Sequence, residues 1–373
     1  MPPNTESVQT DSVQDVTEQL QKKLNLRELA HKGRYLVYPE TKYPDYKAFE
    51  HTDPGHKGDP EKKALLGAAT RVIESTPHIG TEIHGVQLHE LTEQQKNDLA
   101  LLVAERGVVF FRRQEIDVYQ GRELGKHFGP LHIHQNFGHP EGLPEVHVIH
   151  FDENSDQTHF KYFSHQDGWH NDVSYELNPA GLTFLKIDTL PSVGGDTMWS
   201  SGYAAYDKLT PAFQKFIEGL QAVHSGLDQS NAALKAGRTV RRTPIETVHP
   251  VVRTHPVTGW KALWVQPGFT RRIVGLSKRE SDAILSFLFQ HIAGGHDFQV
   301  RLKWEEDTVA VWDNRTTFHN AIFDYLDVGL RHGWRITPQG EVPYLDPNSK
   351  SKSESSVRRH TKGPQGDGYN YLL

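Results

Sequence analysis

Between residues 298 and 336 the chain alternates apolar and polar residues in short runs, a period of two that only extended backbone can use. Phe298, Val300, Leu302 and Trp304 alternate with polar neighbours, residues 309–312 are mostly apolar, and Leu330, His332, Trp334 and Ile336 alternate with Arg331, Gly333 and Arg335. Val108–Phe111 and Val146–Phe151 are further apolar runs of strand length, and Val251-Val252 and residues 260–265 flank Thr258-Gly259 as a predicted hairpin. Helix signals fall between the strands. Thr92 with Gln95 and Ser277 with Glu280 read as capping boxes, and Thr210-Pro211 places a cap before a first-turn proline, with Phe213, Phe216, Ile217 and Leu220 as that helix's expected apolar stripe. Such a series lacks the strand-helix rhythm of a parallel sheet. It predicts a mainly β fold with flanking helices, an antiparallel barrel or jelly roll.

The chain has 373 residues, enough for one large domain with extensions. It contains no cysteine, so a metal must be held by His, Asp or Glu, and its 23 histidines are the compositional oddity. No segment approaches the ~20 consecutive apolar residues of a membrane helix. No basic residue precedes Lys22, so secretory and mitochondrial signals are not expected and the cytoplasm is the expected location. A net charge of -6 without a long basic run argues against a nucleic-acid partner. Residues 1–75 read as an extension with a short helix capped by Ser12, residues 76–345 as the folded domain, and the Ser-, Lys- and Gly-rich residues 346–373 as a flexible tail.

Five segments carry candidate chemistry. In Gly168-Trp169-His170-Asn171-Asp172-Val173-Ser174-Tyr175, read as a strand, His170 and Asp172 share a face and can share one ion. His319, beyond a polar turn after Trp312, is either the third ligand or a turn histidine with no partner. Arg331 and Arg335 share one face of the last strand and point either to water or inward, where each guanidinium would meet an acidic group. Gly194-Gly195-Asp196-Thr197 is an ordinary tight turn or a close approach with Thr197 as donor. In Leu131-His132-Ile133-His134 two histidines share a strand face, with no obvious carboxylate nearby.

Together these segments, with Ser-Gly-Tyr-Ala-Ala-Tyr at 201, His-Pro-Val-Val-Arg-Thr-His-Pro at 249, Gly-Phe-Thr-Arg-Arg-Ile at 268 and Trp-Asp-Asn-Arg at 312, resemble the taurine and sulfonate dioxygenases, Fe(II)- and 2-oxoglutarate-dependent oxygenases. The long N-terminal arm makes the chain look most like the fungal sulfonate dioxygenases. The resemblance implies a double-stranded β-helix of cupin type and three iron ligands, His170, Asp172 and His319. It places Thr197 and Arg331 on 2-oxoglutarate, His134 and Arg335 on a substrate sulfonate, and Phe137, Phe269, Gln166 and Val173 around the substrate. Gln166 stands where the bacterial taurine enzymes place an asparagine near the substrate amine. The implied reaction consumes O2 and 2-oxoglutarate and hydroxylates a small anion, a sulfonate such as taurine or else an amino acid or carboxylate. A non-catalytic metal-binding barrel is the reading from another class, and a homo-oligomer is left open.

Overall fold

The structure is a computed structural model that describes residues 41–151, 163–326 and 328–355. The predicted helix capped by Ser12 lies outside the described residues.

Capping chemistry sets the long helices where the sequence places them. Thr92 and Gln95 bond each other's backbone at the head of the helix Glu93–Arg106, which stops at Gly107 with a φ of 76° that favours glycine. Ser277 and Glu280 do the same for the helix Lys278–Ala293. A further box, Asp117 with Gln120, opens the helix Val118–Lys126. The helix Pro211–Glu218 begins after Thr210 as expected, but it buries only Ile217. Phe216 is 46% exposed and meets only the edge of the core through Phe213, which packs against Phe287 and the core beneath it.

In chain order the strands are β1 (Arg71–Glu74), β2 (Thr81–His84), β3 (Val108–Phe111), β4 (Val146–Phe151), β5 (Leu182–Thr189), β6 (Thr197–Ser201) and β7 (Gln221–Ser225). There follow β8 (Glu246–Pro250), β9 (Val252–Thr254), β10 (Lys261–Leu263), β11 (Thr270–Ile273), β12 (Gln299–Leu302), β13 (Val309–Asp313), β14 (Thr317–Ala321) and β15 (Arg331–Ile336). A seven-stranded sheet runs β1-β2-β3-β13-β5-β15-β4 and a three-stranded sheet β12-β6-β14; only β2 with β3 is parallel among these pairs. The predicted hairpin is β9 with β10.

Both faces of β13 are covered, which explains its apolar run. Val309 and Val311 join the core under the helix Glu93–Arg106. Ala310 and Trp312 join Phe110 and Trp199 between the two sheets, where the Trp199 and Trp312 rings meet at 5.7 Å. His319 of β14 stands on the other side of Trp312, ring centroids 4.8 Å apart. The candidate ligands therefore rest on the layer between the sheets.

Several boundaries shift. The sheet starts at Arg71, ahead of residue 76, and the described arm is packed: the Tyr46 hydroxyl accepts the Ile133 N–H at 2.7 Å and Asp53 pairs with buried Arg315 at 2.6 Å. Residues 346–355 are held too, since Lys261 donates to the Lys350 carbonyl at 2.9 Å and Ser351 is buried. Paired backbone and charge, which composition does not report, hold the described residues on both flanks of the sheets.

Candidate metal centre and its cavity

His319 lies beyond the turn at residues 314–316, on β14, and it is joined to His170 by a two-way backbone bridge: His170 N–H to the His319 carbonyl at 3.0 Å and the reverse at 2.8 Å. The two rings are 4.0 Å apart. The strand expected over residues 168–175 is not formed; a single bridge at His170 is followed by a turn. Val173 takes a φ of 45°, a rare conformation for a β-branched residue, and the Glu176 N–H closes the turn on the Val173 carbonyl. Asn171 pins it by donating to the carbonyls of Asn314 and Thr317. Asp172 thus stands at the start of a turn and not within a strand.

The candidate ligand atoms of His170, Asp172 and His319 all lie within 4.8 Å of one another. Asp172 Oδ1 is 3.8 Å from His170 Nε2 and 3.6 Å from His319 Nε2. Its other oxygen accepts the Thr183 hydroxyl at 2.8 Å, and its N–H donates to Asn314 Oδ1 at 3.0 Å. His170 Nδ1 faces the Gly168 carbonyl at 2.9 Å, which puts the proton there and leaves Nε2 as a lone pair. Burial keeps both imidazoles below their usual pKa, His319 further lowered by His170. Burial alone would raise the Asp172 carboxyl, yet Arg335, His319 and His170 together hold it below the ordinary range. Two neutral imidazoles and one carboxylate are the ligand set suited to Fe(II), with no thiolate and too few oxygens for Mg2+ or Ca2+. These residues fit the ion.

A cavity of about 710 Å³ opens beside the triad, lined by His170, His319, Thr197, Arg331, Arg335 and Phe137 among others. Arg331 is buried, and among the described residues no carboxylate lies within ion-pair distance; Tyr325 is its hydrogen-bond partner and its Nε has none. An uncompensated buried guanidinium is costly, so the site fits an anionic ligand. Thr197 accepts the Trp304 indole N–H at 3.0 Å, which leaves its own hydroxyl hydrogen to donate. The turn before it depends on glycine: Gly194 and Gly195 have φ of 81° and 75°, and a Cβ on Gly194 would sit 2.6 Å from Asp324. Arg335 donates to Asp172 Oδ1 at 2.7 Å. Both arginines thus turn inward, and so do His332 and Trp334, because β15 is covered on both faces.

The remaining candidates divide. Phe137 lines the cavity, with His134 edge-on to it at 4.6 Å. Val173 and Phe269 pack in one apolar cluster, Phe269 lying 6.2 Å from the His170 ring. Gln166 is exposed and borders a separate depression with Thr270 and Arg271, because the turn at residues 164–168 carries it outward. His132 has a carboxylate after all: Glu176, at 2.9 Å, which Arg242 also holds at 2.6 Å. It belongs to a buried ion pair, and the His170 set is the one metal-like group among the described residues.

The Trp-Asp-Asn-Arg segment supplies what sequence reasoning left without a role. Asn314 accepts from Asp172 N–H and Trp312 Nε1 and donates to Thr183, so it holds the ligand carboxylate and its partner together. Asp313 takes Arg315 at 2.6 Å and His255 at 3.0 Å. A strand connection without Gly or Pro must satisfy its polar backbone with such side chains, and that is the signal that could have marked it.

The family model for "Taurine catabolism dioxygenase TauD, TfdA family" matches residues 71–337. An alpha-ketoglutarate-dependent dioxygenase of Penicillium expansum is 45% identical over 313 residues, covering 82% of this chain and 85% of that one. The alpha-ketoglutarate-dependent sulfonate dioxygenase of Saccharomyces cerevisiae is 39% identical over 318 residues, covering 83% and 77%. The crystal structure of a taurine dioxygenase from Burkholderia xenovorans aligns with a TM-score of 0.64 at 36% identity, covering 75% of this chain and 92% of that one.

Proposed function

Since the chain belongs to the TauD, TfdA family and is an Fe(II)- and 2-oxoglutarate-dependent dioxygenase, we propose that it hydroxylates a small sulfonate such as taurine on the carbon beside sulfur. The hydroxylated product would collapse to an aldehyde and sulfite, with succinate and CO2 formed from the cosubstrate. The observation that carries this reading is the pair of cations on the cavity face of β15, Arg331 beside Thr197 and Arg335 beside Asp172. Two acidic ligands, one the cosubstrate and one the substrate, would satisfy both.

In this reading His170, Asp172 and His319 hold Fe(II), which supplies O2 activation coupled to oxidation of 2-oxoglutarate. Arg331 and Thr197 bind the distal carboxylate of the cosubstrate, Arg331 by forked hydrogen bonds and Thr197 through its hydroxyl hydrogen. Arg335 and His134 hold the substrate's acidic head, and Phe137 covers its apolar part. Placement by these groups decides which carbon is oxidised. The outward position of Gln166 favours a site that reads the acidic head over one that reads an amine, so sulfonates other than taurine fall within the proposal.

We assign the seven- and three-stranded sheets to the two halves of a double-stranded β-helix and the cytoplasm as the enzyme's location. No helix among the described residues is long and apolar enough to cross a membrane. The test is incubation with Fe(II), ascorbate, 2-oxoglutarate and a sulfonate panel. Sulfite equal to succinate is expected; succinate without sulfite, together with turnover of an amino acid or carboxylate, would replace this reading by hydroxylation of another small anion.

A further inference from the structure

The cavity wall formed by β4 and β15 carries a side chain that sequence reading did not single out. His147 of β4 stands opposite Arg335 of β15 in the antiparallel register. Directly opposed residues leave a sheet on the same face with Cβ atoms about 5 Å apart, and both line the cavity. The His147 ring lies flat on Phe137, centroids 4.4 Å and planes 22° apart, while His134 approaches His147 at 5.2 Å. Phe137 therefore clamps two imidazoles beside one guanidinium.

The hydrogen-bonding states of these groups differ in an informative way. His134 Nδ1 accepts the backbone N–H of Asn136 at 3.1 Å and of Phe137 at 3.3 Å, so its proton sits on Nε2. His147 has no hydrogen-bond partner among the described residues; its Nδ1 is buried, which leaves Nε2 as the nitrogen that reaches the cavity. Arg335 has one bond, to Asp172, and a buried Nε without a partner. An enclosed imidazole with no partner is costly where an aliphatic residue would fill the strand as well, and a ligand oxygen removes that cost.

We propose that His147 is a third donor to the substrate, so that Arg335, His134 and His147 match the three oxygens of a tetrahedral –SO3⁻ head, where a carboxylate has two. The inference rests on the sulfonate reading above. The head can be carried on carbon, as in a sulfonate, or on oxygen, as in a sulfate monoester, and His147 reads the part they share. It makes His147 a residue that selects head-group geometry, not merely negative charge.

The experiment compares wild type with His147→Leu and His147→Gln, using the best sulfonate of a short panel, the alkyl sulfate of matching length, and the matching carboxylate as a competing ligand. For His147→Leu, kcat/KM for the sulfonate and the sulfate is expected to fall by roughly ten- to a hundredfold, carried by KM, as for a lost hydrogen bond to a charged group. The carboxylate's inhibition constant and the KM for 2-oxoglutarate should stay within about threefold, and His147→Gln, which keeps an N–H, should recover most of the loss. If the leucine variant does not fold, His147→Phe, which keeps the stack on Phe137, serves the same comparison. A sulfonate KM unchanged in the variant, or an equal loss for sulfonate and carboxylate, overturns the role of His147. A wild type that releases sulfite from no sulfonate overturns instead the reading beneath it.

Discussion

Two buried polar regions lie on strands separated only by β5 and use the same residue types to opposite ends. At the end of β13, Arg315 bonds Asp313, Asp53 and Glu341, and Asp313 bonds Arg315 and His255. On the cavity face of β15, among the described residues Arg331 has Tyr325 and no carboxylate, Arg335 has Asp172 alone, and Nε of both arginines is without a partner. Burial is alike, at 1% exposure for Arg315 and 5% for Arg331. What differs is compensation. A guanidinium matched by carboxylates fastens the arm and the β13–β14 connection to the sheet, whereas one left unmatched suits the acidic ligand proposed for it.

The comparison can be broken in several ways. The largest expected effect is at the metal centre, where Asp172→Ala should abolish turnover and most iron binding, read as metal content after desalting and as succinate formed. Full iron occupancy in that variant would remove Asp172 from the ligand set. Next, Arg315→Leu should destabilise the fold by about 3–5 kcal/mol, because Asp53 is left without a cation while Asp313 keeps only His255 and Glu341 only Arg253. Arg331→Leu should leave the melting temperature unchanged or higher, since it removes a cation that the fold does not match. Equal melting losses in the two variants would erase the distinction between the regions.

A smaller effect is expected with acid. Burial pushes His249 down to about 4, its Nε2 facing the Glu176 carbonyl. Between that value and the ordinary value of about 6.5 the unfolded chain binds a proton that the native chain refuses, so stability rises with pH. The contribution is complete above about pH 6.5 and is lost as pH falls through 4, about 3 kcal/mol in all. Asp313, held below its usual range by Arg315 and His255 against the opposing effect of burial, extends the loss to lower pH. Denaturant titrations from pH 7 to 4 should show this slope, and His249→Gln should flatten it; an identical slope in the variant would assign it to other groups.

Much of this molecule was legible where interactions are local. Capping boxes at Thr92 and Ser277, the Thr258-Gly259 hairpin and the apolar run at Val108 each announce themselves within a few residues. The candidate ligand set was legible from its motifs, but the strand expected to carry it is reduced to one bridge at His170, followed by a turn with Val173 at positive φ that no period reports. His147 was missed because its meaning depends on standing opposite Arg335, a partner 188 positions away in the chain. Gln166 aligned with a substrate position yet faces outward, since a turn can carry a side chain away without changing its place in a motif. The inward arginines were undecidable by alternation, because a strand covered on both faces has no polar side to read.

The most direct measurement is a crossed pair of Michaelis constants for Arg331→Leu and Arg335→Leu, each determined for 2-oxoglutarate and for the sulfonate substrate. Loss of a charged hydrogen bond predicts an increase of about ten- to a hundredfold in each affected constant. Arg331→Leu should raise the constant for 2-oxoglutarate and leave the sulfonate's little changed, and Arg335→Leu should do the reverse. A reversed pattern, or both constants rising together in both variants, would contradict the assignment of the two cavity-facing cations to two separate acidic ligands.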